Sequence, residues 1–197
     1  MSENSSGSEF KRFSGKGVFP PRYAFTLLLP FRNIFLLPKK LIHRLELQKD
    51  SVVLEVGPGP GYFSPHVARA VPEGKLVLAD IQQEMLDYVR KRLEKRKITN
   101  VEYHRCNGHD LPFGDNSFDV IFLVTVLGEV EQKKEYVREF HRILKPGGLL
   151  SVSEQAGDPD RLSKDAIMAL MQDDGFELYK TFGNRKNYTL NFKKSEC

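Results

Sequence analysis

The chain has 197 residues, of which 40% are hydrophobic and 28% are charged, and its formal net charge at pH 7 is +4. This length suits one domain with a sizeable core. Two cysteines, Cys106 and Cys197, are too few for a disulfide framework, and the polar start of the chain lacks the pattern of a secretory signal. We therefore expect a cytoplasmic protein.

The positive charge is concentrated near the N-terminus. Residues 1–50 contain nine Lys and Arg against four Asp and Glu, whereas residues 51–197 contain 21 against 22. Residues 1–17 are polar and rich in Ser, Gly, Lys and Glu, a composition that predicts a disordered tail. Basic character confined to a short segment is more typical of a solvated tail than of a nucleic-acid-binding surface, so we expect no nucleic-acid partner.

Residues 18–37 form an apolar and aromatic segment with interleaved basic residues. Pro30, Arg32 and Asn33 interrupt it, which argues against a membrane-spanning helix. Three interpretations remain open. The segment packs on the domain, or it closes over an active site as a lid that contacts substrate, or it makes peripheral contact with a membrane surface, where basic and aromatic residues are favourable.

Residues 52–63 predict a strand followed by a ligand-binding turn. The strand is an apolar run, and it ends in three glycines spaced by two, at Gly57, Gly59 and Gly61. Glycine lets the chain turn sharply and lets a ligand approach the backbone. The G-x-G-x-x-G fingerprint of dinucleotide sites requires glycine where this chain has Tyr62, so the turn indicates a different nucleotide.

A second predicted strand, residues 75–80, ends in an acid. Asp80 lies 19 residues after Gly61, near the distance at which an acid at the end of the second strand grips ribose hydroxyls. The alternative is that Asp80 caps the helix expected to begin near Gln82. The two roles are compatible, and the glycines upstream favour ribose binding.

The rest of the chain alternates between strand and helix patterns, which predicts a parallel sheet covered on both faces. A short link, residues 156–162, leads to a helix and a hairpin and offers little sequence with which to cover a binding site. Residues 18–37 are then the sequence left to cover the site, so we rank lid above membrane contact. The expected strands are 100–105, 118–124 and 149–153, the expected helices 131–144 and 163–173, and the expected hairpin strands 175–182 and 187–193.

Four motifs resemble class I S-adenosylmethionine-dependent methyltransferases of the type 11 group, which includes ubiquinone- and menaquinone-type C-methyltransferases. They are residues 55–61, Asp80 followed by Met85-Leu86, residues 111–119, and residues 144–148. The resemblance covers roughly residues 38–192 and makes 38–197 the methyltransferase domain. It implies a three-layer α/β Rossmann-like fold with seven strands in the order 3-2-1-4-5-7-6, all parallel except the seventh.

The resemblance also implies a cofactor site for S-adenosylmethionine. The glycine turn would hold the methionine part, Asp80 the ribose, and Ile81 would pack on the adenine. Asn107 and Gly108 would meet the adenine edge, and Leu123 would lie beneath the methionine part. The full implied set is Glu55, Gly57, Pro58, Gly59, Gly61, Asp80, Ile81, Asn107, Gly108 and Leu123.

Two positions depart from the family pattern. Cys106-Asn107 replaces the usual Gly-Asp, so the acceptor facing the adenine amino group would be an uncharged amide oxygen. Gly128-Glu129 stands where many relatives have two histidines, so no role of those histidines carries over. We interpret Cys106 as a small packed residue beside the cofactor and not as a nucleophile.

The expected function is methyl transfer to a small-molecule or lipid-like acceptor. The alternative is an S-adenosylmethionine-binding protein without transfer activity that acts through its N-terminal surface. A general base is needed only if the acceptor loses a proton, and the weak candidates are Glu129, His109 and Tyr23. Each has a plainer interpretation: Glu129 at a solvated helix start, His109 at the surface or beside the adenine, and Tyr23 packed in the segment. The histidines show no metal-ligand spacing, so no metal is expected.

Overall fold

The structure is a computed structural model that describes residues 36–107 and 110–194. The predictions for the tail, for residues 18–35, and for Tyr23, Gly108, His109 and Cys197 lie outside these described residues. The elements are α1 (Pro38–Leu45), β1 (Val52–Val56), α2 (Ser64–Ala70), β2 (Lys75–Asp80), α3 (Gln83–Glu94), β3 (Val101–Arg105), β4 (Phe118–Val124), α4 (Lys133–Ile143), β5 (Leu144–Glu154), α5 (Lys164–Gln172), β6 (Phe176–Gly183) and β7 (Tyr188–Lys194).

The strands form one seven-stranded sheet in the order β3-β2-β1-β4-β5-β7-β6, which confirms the predicted fold. β7 runs antiparallel to both of its neighbours, β5 and β6, and the remaining pairs are parallel. Val56, the last residue of β1, is paired with Ala79 of β2 and Leu123 of β4. The carboxyl ends of the central strands therefore meet at one edge, where ligands bind in open α/β sheets.

Helices cover both faces of the sheet, and each face has its own buried cluster. On one face, α1, α2 and α3 contribute side chains such as Leu41, Val67 and Val89. On the other, α4 and α5 contribute side chains such as Phe140 and Ile167. The central strands are nearly all apolar because both of their faces are buried.

The start of β5 differs from the prediction. The sequence predicts a turn over residues 145–148 after a helix that runs to residue 144, but α4 ends at Ile143 and the strand already begins at Leu144. The pairing with β4 jumps from Phe118↔Leu144 to Val120↔Leu149, so the Pro-Gly-Gly residues form a bulge inside the strand. A bulge accommodates a proline that has no N–H to donate to the ladder.

The first described residues dock the chain's N-terminal side on the sheet. Leu36, near the end of the segment predicted to be a lid, is 2% exposed and packs with Leu41 in the core. The backbone carbonyl of Arg44 accepts a hydrogen bond from Asn191 Nδ2 at 2.6 Å, and Arg44 Nη1 donates to Thr189 Oγ1 at 2.7 Å. Residues 36–45 are thus an integral part of the fold.

Candidate functional site

The glycine turn after β1 has a backbone that favours glycine at each of its three spaced positions. Gly57, Gly59 and Gly61 have φ angles of 63°, 52° and 72°, in the left-handed region where a Cβ is unfavourable. The Gly57 amide donates to the carbonyl of Ala79 at 2.8 Å, and the Gly61 amide donates to that of Pro58 at 3.0 Å. The turn is therefore tied both to β2 and to itself.

Side chains from α3 and from the loop after β4 pack closely against this turn. A Cβ at Gly57 would lie 2.6 Å from Cγ2 of Val126, in the loop after β4, and a Cβ at Gly61 would lie 2.2 Å from Cγ2 of Val89 in α3. Both distances are too short for non-bonded carbon atoms. The glycines are thus also required by packing.

Arg92 of α3 binds the backbone of the glycine turn. Its guanidinium donates to the carbonyl oxygens of Pro60, at 3.1 Å, and Gly61. Arg92 was not among the predicted site residues, because it lies in the last turn of a helix pattern rich in Lys and Arg, with nothing to distinguish it from its neighbours.

Asp80, the acid predicted to grip a ribose, meets the glycine turn. It is 9% exposed, and its carboxylate accepts hydrogen bonds from the amides of Gln82, at 2.9 Å, Gly59 and Ile81. Burial raises the pKa of Asp80, and these three amides oppose that shift. The helix-cap alternative makes Asp80 the N-cap of this helix, but α3 begins at Gln83 with Gln82 at its N-cap position, two residues after Asp80.

Glu55 is a buried carboxyl two residues before the turn. It is 3% exposed, and its Oε2 has no hydrogen-bond partner among the described residues. Burial raises the pKa of Glu55 to about 8, while the Ser64 hydroxyl and the positive charge of Arg92 oppose the shift. An orphaned acceptor at this place fits a ligand that carries an ammonium or another donor, as S-adenosylmethionine does.

The other residues implied for the cofactor lie along the same edge. Ile81 follows Asp80 and is 37% exposed, so its side chain is accessible to a ligand at this edge. Leu123 is buried, level with Val56 at the end of β1, and Pro58 is buried within the turn. The structure therefore brings β1, β2 and β4 residues of the predicted set to one edge.

Asn107 lies in a loop that α4 holds in place. The side-chain oxygen of Asn107 accepts from the Asp110 amide at 2.9 Å. Farther along the loop, Arg142 donates to the carbonyl of Leu111 at 3.1 Å, and Glu139 accepts from the Leu111 amide at 3.2 Å. Burial agrees with the interpretation of Cys106 as a packed residue, since it is 8% exposed.

Of the three weak candidates for a general base, Glu129 is described. It is exposed, and its amide donates to the carbonyl of Val126 at 3.0 Å. α4 begins four residues later at Lys133, so the interpretation of Glu129 as a helix-start residue is wrong. The loop after β4 packs closely against the loop after β5. A Cβ at Gly128 would lie 2.0 Å from the carbonyl oxygen of Asp160 in that second loop.

Residues 36–107 and 110–194 contain neither a metal-binding cluster nor a membrane-spanning helix. In those ranges, no three His, Cys, Asp or Glu side chains are grouped so as to hold a metal ion. None of the helices there has the length and hydropathy needed to cross a membrane.

The sheet order and the glycine turn joined to an acid define the Rossmann-like fold of class I methyltransferases. Residues 54–152 match the family described as "Methyltransferase domain". The match spans half of the chain, which therefore belongs to this family of S-adenosylmethionine-dependent methyltransferases.

Comparison with individual proteins gives the same class. The chain is 41% identical over 110 residues to the "Ubiquinone/menaquinone biosynthesis C-methyltransferase UbiE" of Escherichia fergusonii. That alignment covers 55% of this chain and 44% of the relative, so the chain spans less than half of the relative's length.

Solved structures share the fold at low identity. An S-adenosylmethionine-dependent methyltransferase from Aquifex aeolicus superposes with a TM-score of 0.84 at 24% identity, over 90% of this chain and all of that one. The [4+2]-cyclase SpnF superposes with a TM-score of 0.71 at 19% identity, over 80% of this chain and 79% of that one.

Proposed function

We propose that this protein transfers a methyl group from S-adenosylmethionine to a small-molecule or lipid-like acceptor. The observation that carries the proposal is the contact between the glycine turn and the acid of β2, made through the Gly59 amide and the Asp80 carboxylate. This contact puts a backbone cradle and a carboxylate suited to a ribose side by side at the carboxyl edge of the sheet. Family membership supplies the identity of the methyl donor.

The described residues fit that donor. Gly57, Gly59 and Gly61 would border the methionine part, with the orphaned Oε2 of Glu55 beneath its ammonium group. A carboxylate has about four acceptor positions, and three amides occupy Asp80, so it retains capacity for a ribose hydroxyl.

The adenine would lie farther along the same edge. Ile81 would pack on the ring, and Asn107 with Gly108 would meet its edge. The Asn107 oxygen accepts from the Asp110 amide at 2.9 Å, and a side-chain amide oxygen is also the kind of acceptor that would suit the adenine amino group.

When bound, S-adenosylmethionine supplies an electrophilic methyl group on a sulfonium. The protein's main contribution is then to hold the acceptor atom in line with that methyl group and to exclude water. Orientation alone can contribute on the order of 7–11 kcal/mol at best.

Two features support an apolar acceptor. The link between β5 and α5 is short, so residues 18–35 would cover the acceptor pocket in its place. Their composition is aromatic and basic, and the aromatic side chains would suit an apolar acceptor. The name of the Escherichia fergusonii relative refers to ubiquinone and menaquinone, which supports a lipid-like acceptor here without identifying it.

The test is transfer of label from S-[methyl-³H]adenosylmethionine to components of a cell extract, partitioned between organic solvent and water. We expect labelled product in the organic phase. Calorimetry with S-adenosylhomocysteine and NAD tests the cofactor separately, and preferred binding of NAD would overturn the family-based assignment of the cofactor site.

The alternative function is cofactor binding without methyl transfer. SpnF, which shares this fold, is a [4+2]-cyclase, so the fold also serves a reaction other than methyl transfer. Tight binding of S-adenosylhomocysteine, together with no labelled product from any extract fraction, would favour this alternative.

A further inference from the structure

Glu154 lies at the edge of the sheet where β1, β4 and β5 end. Val56 is level with Leu123, and the next residue of β4, Val124, is paired with Ser153 of β5. Glu154 is therefore one residue beyond the level of Gly57, about 3 Å further along the strand direction. The turn that would hold the methyl donor and this carboxyl thus lie at the same edge of the sheet.

The Glu154 carboxyl is buried without a partner. It is 1% exposed, and among the described residues neither Oε1 nor Oε2 has a hydrogen-bond partner. Buried polar side chains in folded proteins are nearly always hydrogen-bonded, and each exception needs an explanation, of which a catalytic role is one. Among the described residues, the Glu154 carboxyl therefore forms no hydrogen bond with the glycine turn or with the rest of the sheet.

Several charged or titratable groups face Glu154 from the surrounding elements. They are Glu129 from the loop after β4, Asp158 and Arg161 from the loop after β5, and Tyr188, which is opposite Glu154 on β7. The Tyr188 hydroxyl donates to the carbonyl of Leu162, so it does not satisfy the carboxyl. Glu154 thus lies near charged groups from both of these loops and beside Tyr188 of β7.

The environment makes this carboxyl a stronger base than an ordinary glutamate. Burial is the largest cause, and with the negative charges of Asp158 and Glu129 it raises the pKa of Glu154 to about 8, against the opposing charge of Arg161. A general base is most effective when its pKa lies near the working pH. Glu129, the sequence-based candidate, is exposed to water and lacks this environment.

We infer that Glu154 is the general base that takes the proton from the acceptor during methyl transfer, an inference that rests on the proposed function. In the step, an acceptor X–H gives its proton to a carboxylate oxygen of Glu154. The electron pair of X forms the bond to the methyl carbon as the bond from that carbon to sulfur breaks. The sulfur keeps the electron pair of that bond, the sulfonium becomes a neutral thioether, and the proton leaves Glu154 to solvent.

The test compares Glu154→Gln and Glu154→Asp with the parent and with Asp165→Asn, a control at an exposed acid in the first turn of α5. The probes are S-adenosylhomocysteine in calorimetry and the labelled donor with the organic-phase extract fraction. We expect Glu154→Gln to bind S-adenosylhomocysteine within about twofold of the parent and to lose about 100-fold or more in single-turnover transfer. Glu154→Asp should retain partial transfer with a shifted pH profile, and Asp165→Asn should match the parent.

A second readout needs no donor. Thermal unfolding from about pH 5 to 9 should show the parent losing stability relative to Glu154→Gln as pH rises toward 8, because the buried carboxyl keeps a proton that the unfolded chain releases in this range. Parallel melting curves would overturn the inference, as would equal transfer by Glu154→Gln and the parent at every pH, and in both cases the proposed function stands. A parent protein that binds S-adenosylhomocysteine but labels no extract fraction would instead overturn the proposed function, and this inference with it.

Discussion

The Asp80 carboxylate stabilises the local structure and, in the proposed function, would also bind the ribose. Its carboxylate accepts from the amides of Gly59, Ile81 and Gln82, so it holds the turn after β1 close to the start of α3. The ribose would use what acceptor capacity remains. Removal of the carboxylate should therefore affect both cofactor affinity and the shape of the turn.

Asp80→Ala should lower the affinity for S-adenosylmethionine by about 1.5–3 kcal/mol, the range for hydrogen bonds to a charged group. Asp80→Asn, which keeps the shape and one oxygen, should lose less. Calorimetry measures both, and thermal unfolding reports any loss of the fold. Unchanged affinity in Asp80→Ala would refute the ribose assignment.

Glu55 is a second buried carboxyl with a raised pKa, and it should make stability depend on pH. Since its folded pKa is about 8 and its ordinary value is 4.5, folding takes up a proton between these limits. Stability is then highest near the lower limit and falls as pH rises through this window, by up to about 1.4 kcal/mol per pH unit.

Glu55→Gln removes that proton uptake. Urea unfolding at about pH 5, 6.5 and 8 should show the variant gaining on the parent at each step. Glu84→Gln, an exposed acid in the first turn of α3, is the matched control and should follow the parent. A constant difference between Glu55→Gln and the parent at all three pH values would contradict the raised pKa.

At the level of secondary structure, the glycine turn is packed between α3 and the loop after β4. α3 contacts it through Val89 and Arg92, and the loop after β4 contacts it through Val126. The turn is thus rigid because its neighbours fill the space that side chains on it would need. This packing orders the backbone amides before any ligand arrives, which reduces the cost of binding.

Gly61→Ala should destabilise the protein by about 2–5 kcal/mol, from the left-handed backbone and the clash with Val89. Val89→Ala removes the two methyl carbons, one of which makes the closest contact. The double variant Gly61→Ala/Val89→Ala should therefore be less destabilised than the sum of the single variants, with a coupling of about 1–3 kcal/mol.

Gly61→Ala combined with Val137→Ala is the control. Val137 is buried on the opposite face of the sheet, in α4, so its effect should add to that of Gly61→Ala. Urea unfolding measures the single and double variants together. Additive effects for the Gly61 and Val89 pair as well would show that the contact does not limit the turn.

For the whole molecule, the main functional choice concerns residues 1–35. We propose that residues 18–35 form the lid, while residue 36 onward belongs to the fold, because Leu36 is 2% exposed in the core. The deletion that separates the two roles therefore ends at residue 35.

Deletion of residues 1–35 should leave the sheet folded, reduce cofactor affinity modestly and abolish most acceptor turnover. Circular dichroism, calorimetry and the labelled-donor assay measure these three effects. Sedimentation with anionic liposomes tests membrane contact, since on that interpretation the intact chain binds and the truncated chain does not. If truncation changes neither turnover nor liposome binding, the segment only packs on the domain.

The strand pattern, the glycine turn and the acid at the end of β2 could all be predicted from the amino-acid sequence, with the strand order following from the family resemblance. The first three features are local: an apolar run, a glycine spacing, and a chain distance of 19 residues between Gly61 and Asp80. Local patterns are readable in one dimension because the backbone geometry that they satisfy involves neighbours in the chain. The Ser163 cap of α5 is equally local, since its side chain accepts from the Ala166 amide at 3.1 Å.

The residues that complete the site emerge from the folded arrangement alone. In the sequence, Arg92 is one of several basic residues in α3. In the folded protein, it donates a hydrogen bond to the glycine turn. Glu154 ends an apolar strand, and nothing near it in sequence predicts that β7 and two loops enclose it without a hydrogen-bond partner among the described residues. Burial and pKa depend on groups brought together from distant parts of the chain, and that proximity exists only once the sheet has formed.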